Sequence, residues 1–148
     1  MIRLQEFLAR HRRIALDTNV FIYHIEANPD YAGLAGEVFA WLERSAHTAV
    51  TSSLTMTELL VQPYRRSNQL LVNQYFGLLS AFPNLEWVAP NLTIADTAAR
   101  LRARHRLRTP DAIHAATAIC CGATALLTND PDLSRVSAID VGVLSQLR

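Results

Sequence analysis

Arg13-Ile14-Ala15-Leu16-Asp17 is a short apolar run that ends on an acid. Its middle shows no alternation, which is how a strand reads when a parallel sheet buries both of its faces. Working outward, residues 48–51 read as a second strand, residues 85–89 between Pro83 and Pro90 as a third, and residues 123–128 as a fourth. A weaker fifth lies near 138–141. Helical spacing fills the gaps. A helix begins over 20–25, and Leu34, Val38, Phe39 and Leu42 recur up to about Arg44. Ser52 and Ser53 can cap the helix that carries Glu58, which Pro63 interrupts, and Leu70, Leu71, Tyr75, Leu78 and Leu79 mark the next. Residues 92–105 form a further helix, and Thr109-Pro110-Asp111 is a start signature, Thr capping and Pro at the first helical position. Strands alternating with helices predict an α/β fold, a parallel sheet of four to five strands with helices on both faces.

At 148 residues the chain suits one domain, 1–148, able to bury ~68–70% of its unfolded surface. Residues 2–11 read as an amphipathic helix with Leu4, Phe7 and Leu8 on one side, so 1–12 forms an N-terminal helical extension. The N-terminus has no apolar stretch of signal-peptide length, and the apolar segment 112–127 is too short to span a bilayer. No membrane association and a cytoplasmic location are expected. The only two cysteines, Cys120 and Cys121, are adjacent and read as buried, reduced core thiols.

All fourteen basic residues are arginine. The absence of lysine excludes a Walker A phosphate loop and Schiff-base chemistry. Neither GxGxxG nor GxSxG occurs. The net charge of +1 is unevenly spread, since residues 100–108 carry five arginines and no acid. Nine arginines against thirteen acids leave −4 elsewhere. An acidic pocket beside a basic run can hold metal and polyanion together, although a charge run alone is more often a solvated helix face.

Four acids, Asp17, Glu58, Asp111 and Asp130, stand where an apolar run ends or in an expected first helical turn. Ligands of open α/β sheets gather at the carboxyl ends of strands, so the four can converge on one crevice. Carboxylates so placed repel one another by roughly 1–3 kcal/mol per close pair, which raises at least one pKa. The cluster makes physical sense if it holds a hard divalent cation, Mg²⁺ or Mn²⁺ first. Each acid also has a bland explanation. Asp17 can open a polar turn, Glu58 can complete a capping box with Thr55, Asp111 can favour a helix dipole, and Asp130 can serve an Asn-Asp-Pro turn. It is their coincidence in one α/β chain that favours a shared site. His114, three residues after Asp111, could face the same site but among alanines reads as a satisfied core residue. Asp132 reads as a helix N-terminal carboxylate, and Arg65-Arg66 as surface or phosphate contact. The remaining histidines show no pairing for acid–base cleavage.

Four stretches resemble the PIN-domain nucleases, and among them the VapC-type toxins. They are Leu16-Asp17-Thr18-Asn19-Val20, Leu54-Thr55-Met56-Thr57-Glu58-Leu59, residues 109–118 (Thr-Pro-Asp-Ala-Ile-His-Ala-Ala-Thr-Ala), and Leu127-Thr128-Asn129-Asp130. The third is the most specific, and the set covers the chain from Ile14 to about Val141. The resemblance implies a sheet of order 3-2-1-4-5 with an acidic pocket at its carboxyl edge. It implies that Asp17, Glu58, Asp111 and Asp130 are the metal-holding and catalytic acids, with Thr128 as a supporting hydroxyl. It further implies Mg²⁺- or Mn²⁺-dependent endonucleolytic cleavage of RNA, a homodimer, and a cognate antitoxin partner.

The expected function is therefore a metal-dependent endoribonuclease, the toxin of a type II toxin–antitoxin system. Asp17, Asp111 and Asp130 would hold one or two metals while Glu58 orients a metal ligand or the attacking water. Such a route does not need the ribose 2′-OH, so RNA as substrate rests on the resemblance. The alternatives are a non-toxin RNA-processing PIN nuclease and a catalytically silent PIN-like module that binds RNA or protein. A haloacid-dehalogenase-type phosphatase with Asp17 as nucleophile fares poorly, because Asn19 stands where its second aspartate belongs and no lysine exists.

Overall fold

Side-chain alternation along the central strands divides the core between two faces of one sheet. In the computed structural model, which describes residues 2–44 and 46–148, strand β1 (Arg13–Leu16) sends Ile14 and Leu16 to one face and Ala15 to the other. Met1 and Ser45, counted within the domain 1–148, lie outside the described residues. On the first face pack helices α1 (Leu4–Ala9), α2 (Thr18–Ile25) and α3 (Ala32–Glu43), joined by Leu59 of α4 (Ser53–Arg65) and Leu79 of α5 (Gln69–Ser80). The second face is covered by α6 (Leu92–His105) and α7 (Thr109–Cys120). The buried side of α7 is mostly alanine, Ala112, Ala115, Ala116 and Ala118, and small side chains let a helix axis approach the sheet closely.

The sheet is completed by β2 (Thr48–Ser52), β3 (Leu85–Val88), β4 (Ala125–Thr128) and β5 (Asp140–Val143). All neighbours are parallel and the order is β3-β2-β1-β4-β5, as the resemblance implied. The fold is thus a single α/β domain. β1 and β4 are covered on both faces, and every residue from Ala125 to Thr128 is buried. The fifth strand is genuine but begins two residues later than its sequence signal, because Gly142 rather than the apolar pair Ala138–Ile139 lies opposite Leu127. The chain runs outward from β1 to β3 and then returns to β4, so direction reverses between β1 and β4. An open sheet leaves its crevice at such a point, outside the carboxyl ends of the strands.

Several local expectations shift. Glu58 is the sixth residue of α4, in its second turn, because Ser52 caps that helix by accepting from Leu54 N. Thr55 forms no capping box; its hydroxyl is buried 2.7 Å from Thr51 Oγ1. Pro63 lies inside α4, which ends two residues later. α7 begins at Thr109 with Arg108 in the cap position and Pro110 second, so Thr109 does not cap. Cys120 is exposed and Cys121 half-buried, since they stand at the end of α7 rather than in the core. The N-terminal helix is short but well tied. Leu4 N donates to Leu147 O, His11 bridges Thr124 Oγ1 at 2.7 Å and Asp140 Oδ2 at 3.0 Å, and Phe7 lies directly over Gly142 of β5. Among the described residues no helix is long and apolar enough to cross a membrane.

Candidate functional site

The reversal point between β1 and β4 carries the first acids. Asp17 follows β1 directly, is 6% exposed, and caps α2 by accepting from Thr18 N at 2.7 Å through Oδ1. Its other oxygen, Oδ2, accepts from the buried hydroxyl of Thr128, the last residue of β4, also at 2.7 Å. Two donors on opposite oxygens fix the plane of this carboxylate. The Thr128 hydroxyl in turn accepts from Asp130 N at 3.0 Å, so one side chain ties the ends of both strands together. Asp130 is half-buried and caps the 3-10 turn Pro131–Arg135, with Oδ1 accepting from Asp132 N. Asp132 stands in the first turn of that 3-10 helix, the local role expected of it, and pairs with Arg135 at 3.0 Å on the surface.

Asp111 enters from the first turn of α7 and is 7% exposed. Burial is the main force raising its pKa above the ordinary carboxylate range. The negative charges of Asp17 and Asp130 push the same way, and Arg108, whose Nε lies 3.1 Å from Asp111 Oδ2, offsets this only in part. Asp17 and Asp130 are the smallest of these influences, after burial and Arg108. Glu58 approaches from α4, more exposed than the others, and its Oε1 accepts from Thr18 Oγ1 at 2.8 Å. Its pKa is lowered, first by a hydrogen bond from His114, then by Thr18 and the charges of His114 and Arg108, against the opposing effect of burial.

His114, read from sequence as a satisfied core residue, is buried and satisfied, but by the acids. Its Nε2 lies 3.1 Å from Glu58 Oε1, 3.2 Å from Thr18 Oγ1 and 3.5 Å from Asp17 Oδ1. Burial works to lower its pKa, yet the Glu58 hydrogen bond and the charges of Asp17, Glu58 and Asp111 outweigh it and leave the imidazole raised. The sequence did hold a signal, because residues three apart share a helical face and Asp111 was already suspected. Thr18 is the second residue that sequence reasoning missed. Its hydroxyl is the meeting point of Glu58, His114 and Thr55, and nothing in an isolated threonine announces that.

Whether these side chains suit a divalent cation can be judged from their chemistry. The carboxylates offer hard oxygen donors, and beside Asp17 the buried Oδ1 of Asn19 has no hydrogen-bond partner, although its Nδ2 lies 3.4 Å from Asp17 Oδ2. Among the described residues, however, no three such side chains stand in position to grip an ion, because the acids are turned to Thr128, Arg108 and backbone amides. The donor set fits a hard cation; the arrangement is that of acids held by other donors. The arginine run separates into parts. Arg100, Arg102 and Arg104 are exposed on α6, Arg106 ends that helix with φ 55°, and Arg108 reaches Asp111. Arg65 and Arg66 lie exposed at the end of α4.

With this geometry in place, the model of the PIN domain matches residues 14–139. The chain belongs to the PIN domain family. Nucleases of this family generally use divalent metal ions. Among solved structures, VapBC-1 from nontypeable Haemophilus influenzae is similar at 20% identity and TM-score 0.69, covering 90% of this chain and 98% of that one. A toxin–antitoxin complex from Klebsiella pneumoniae is similar at 20% identity and TM-score 0.64, over 88% and 97% of the two chains. The Mycobacterium tuberculosis toxin VapC20, described as cleaving the sarcin-ricin loop, is similar at 19% identity and TM-score 0.66, over 84% and 95%. At such identities the likeness is one of fold. Among curated proteins none matches this chain in sequence.

Proposed function

We propose that this PIN domain is a Mg²⁺- or Mn²⁺-dependent endoribonuclease, the toxin of a type II toxin–antitoxin pair, acting in the cytoplasm as a homodimer that a cognate antitoxin neutralises. The observation that carries the nuclease reading is that acids from different elements meet at one imidazole: Nε2 of His114, one turn beyond the buried Asp111 on α7, lies 3.5 Å from Asp17 Oδ1 and 3.1 Å from Glu58 Oε1. Excess negative charge gathered at the reversal point of an open sheet is what a hard cation relieves. Similarity to VapBC complexes and to VapC20 supports the toxin role, the protein partner and RNA as the substrate.

In this reading Asp17, Asp111 and Asp130 hold the cation, and Glu58 orients a metal ligand or the attacking water. When bound, the cation would supply Lewis acidity toward water and charge stabilisation at the leaving oxygen. The chain's own residues do the rest. Thr128 and Thr18 N hold Asp17 in one plane, so that an anionic edge is already oriented. Arg108, with its side chain 78% exposed at the mouth, can exchange Asp111 for a substrate phosphate once a cation neutralises that carboxyl. The second reading is a silent RNA- or protein-binding module, in which the acids stay held by Thr128, Arg108 and backbone amides.

One experiment separates the two readings. The purified protein is incubated with structured RNA plus Mn²⁺, plus Mn²⁺ and excess chelator, and with Asp111→Asn in place of wild type. Cleavage should require metal and fall by orders of magnitude in the variant, while its circular dichroism is retained. Cleavage that survives chelation, or RNA binding with no cleavage under any metal, overturns the nuclease reading.

A further inference from the structure

The chemistry just described leaves His114 unused, although it is 2% exposed and lies among the acids. The rest of the buried side of α7 is mostly alanine, so packing alone does not call for an imidazole there. Hydrogen-bond bookkeeping fixes which atom carries its proton. The Thr18 hydroxyl has one hydrogen, and its shortest contact, 2.8 Å, is to Glu58 Oε1, which can only accept. Toward His114, then, Thr18 Oγ1 at 3.2 Å and Glu58 Oε1 at 3.1 Å are both acceptors, and so is Asp17 Oδ1 at 3.5 Å. An all-acceptor surrounding requires Nε2 to bear hydrogen.

We propose that His114 is a positioning residue for the cleavage reaction, its Nε2–H and the Thr18 hydroxyl together holding Oε1 of Glu58 so that Oε2 is the oxygen available to a cation or to the attacking water. Glu58 needs such a tether. It extends from the second turn of α4, its side chain is 40% exposed, and without partners its three torsions are free. A buried imidazole anchored on α7 supplies a donor at a fixed depth, from the same helix that supplies Asp111. The role resembles that of groups that orient a metal ligand from behind, whose loss costs about 10–100-fold in metal affinity or activity. It rests on the metal-nuclease reading above.

The test uses Mn²⁺ alone as the probe, titrated into RNA-free protein and followed by electron paramagnetic resonance, alongside RNA cleavage. Glutamine places its amide nitrogen at the reach of an imidazole Nε2, whereas asparagine reaches only as far as Nδ1. His114→Leu and His114→Asn should therefore weaken Mn²⁺ binding about 10–100-fold and lower kcat with KM little changed, while His114→Gln stays near wild type. In a Glu58→Gln background the His114→Leu loss should shrink to about twofold or less, because the group it positions is already altered. If the leucine variant does not fold, the glutamine–asparagine comparison decides alone. Equal Mn²⁺ affinity in glutamine and asparagine variants, or a leucine loss undiminished by Glu58→Gln, overturns the inference about His114. A wild-type protein that binds no Mn²⁺ and cuts no RNA overturns the nuclease reading, and this inference with it.

Discussion

Thr128→Val tests the most constrained contact of the site. Valine has the shape of threonine, so the substitution opens no cavity and its cost is purely polar. Thr128 is 0% exposed; its hydroxyl donates to Asp17 Oδ2 at 2.7 Å and accepts from Asp130 N at 3.0 Å. A hydrogen bond to a charged group contributes about 1.5–3 kcal/mol, and leaving a buried partner unpaired adds to the loss. A total of about 2–4 kcal/mol follows, and for a domain near 150 residues each kcal/mol shifts Tm by about 2–4 °C. The metal-free variant should thus melt roughly 4–16 °C below wild type by calorimetry in chelator. Thr128→Ser keeps the hydroxyl and should recover most of that. Because Asp17 loses the donor that fixes its plane, Mn²⁺ affinity should also drop about 10–100-fold in the valine variant. A valine variant melting within about 1 °C of wild type, the range of a neutral surface change, would refute the claim that Thr128 clamps the acid.

Metal-free Asp111→Asn should melt above wild type near neutral pH. The folded-state pKa of Asp111 is raised, so its penalty is absent below the unfolded value and grows as pH rises through the folded one. The gain should therefore shrink toward pH 4, and a pH-independent difference would contradict the raised pKa of Asp111. The test falls to Asp111 rather than to Asp17, where two donors offset the charge and an asparagine would turn its NH₂ toward one of them. Replacing Arg106 and Arg108 by alanine should lower the salt slope of single-stranded RNA binding by about 1.4, near 0.7 per phosphate contact; an unchanged slope returns the run to a solvated face. Gly142→Ala would place a Cβ 2.8 Å from Phe7 Cζ and 2.9 Å from Leu127 Cδ2, an overpacking that costs about 1–3 kcal/mol. Phe7→Leu should relieve part of it, and strict additivity of the two changes in thermal melts would show that α1 does not rest on β5.

The sheet was legible because burial on both faces leaves its mark on single residues. Ile14-Ala15-Leu16 and Ala125-Leu126-Leu127 carry no polar residue, and only a central parallel strand tolerates that. Strand order was not in those runs; it came with the family resemblance, since periodicity does not say which strand lies beside which. The acids were visible as charges at strand ends, but what surrounds them was not. Thr18 read as an ordinary threonine and Thr55 as a capping-box partner, and only the crossing of α2, α4 and α7 turns them into a hydroxyl network around Glu58. His114 is buried and satisfied, as read, but the groups that satisfy it were hidden for the same reason. A histidine among alanines is ambiguous along one helix, and the partners that decide it come from residues 17, 18 and 58, on other elements. Local pattern reports which face a residue buries; the chemistry it meets there is set by elements far away in the chain. A polar residue on an apolar helix face is therefore best weighed together with the acids that its own helix presents, and here that pairs His114 with Asp111, one turn earlier on α7.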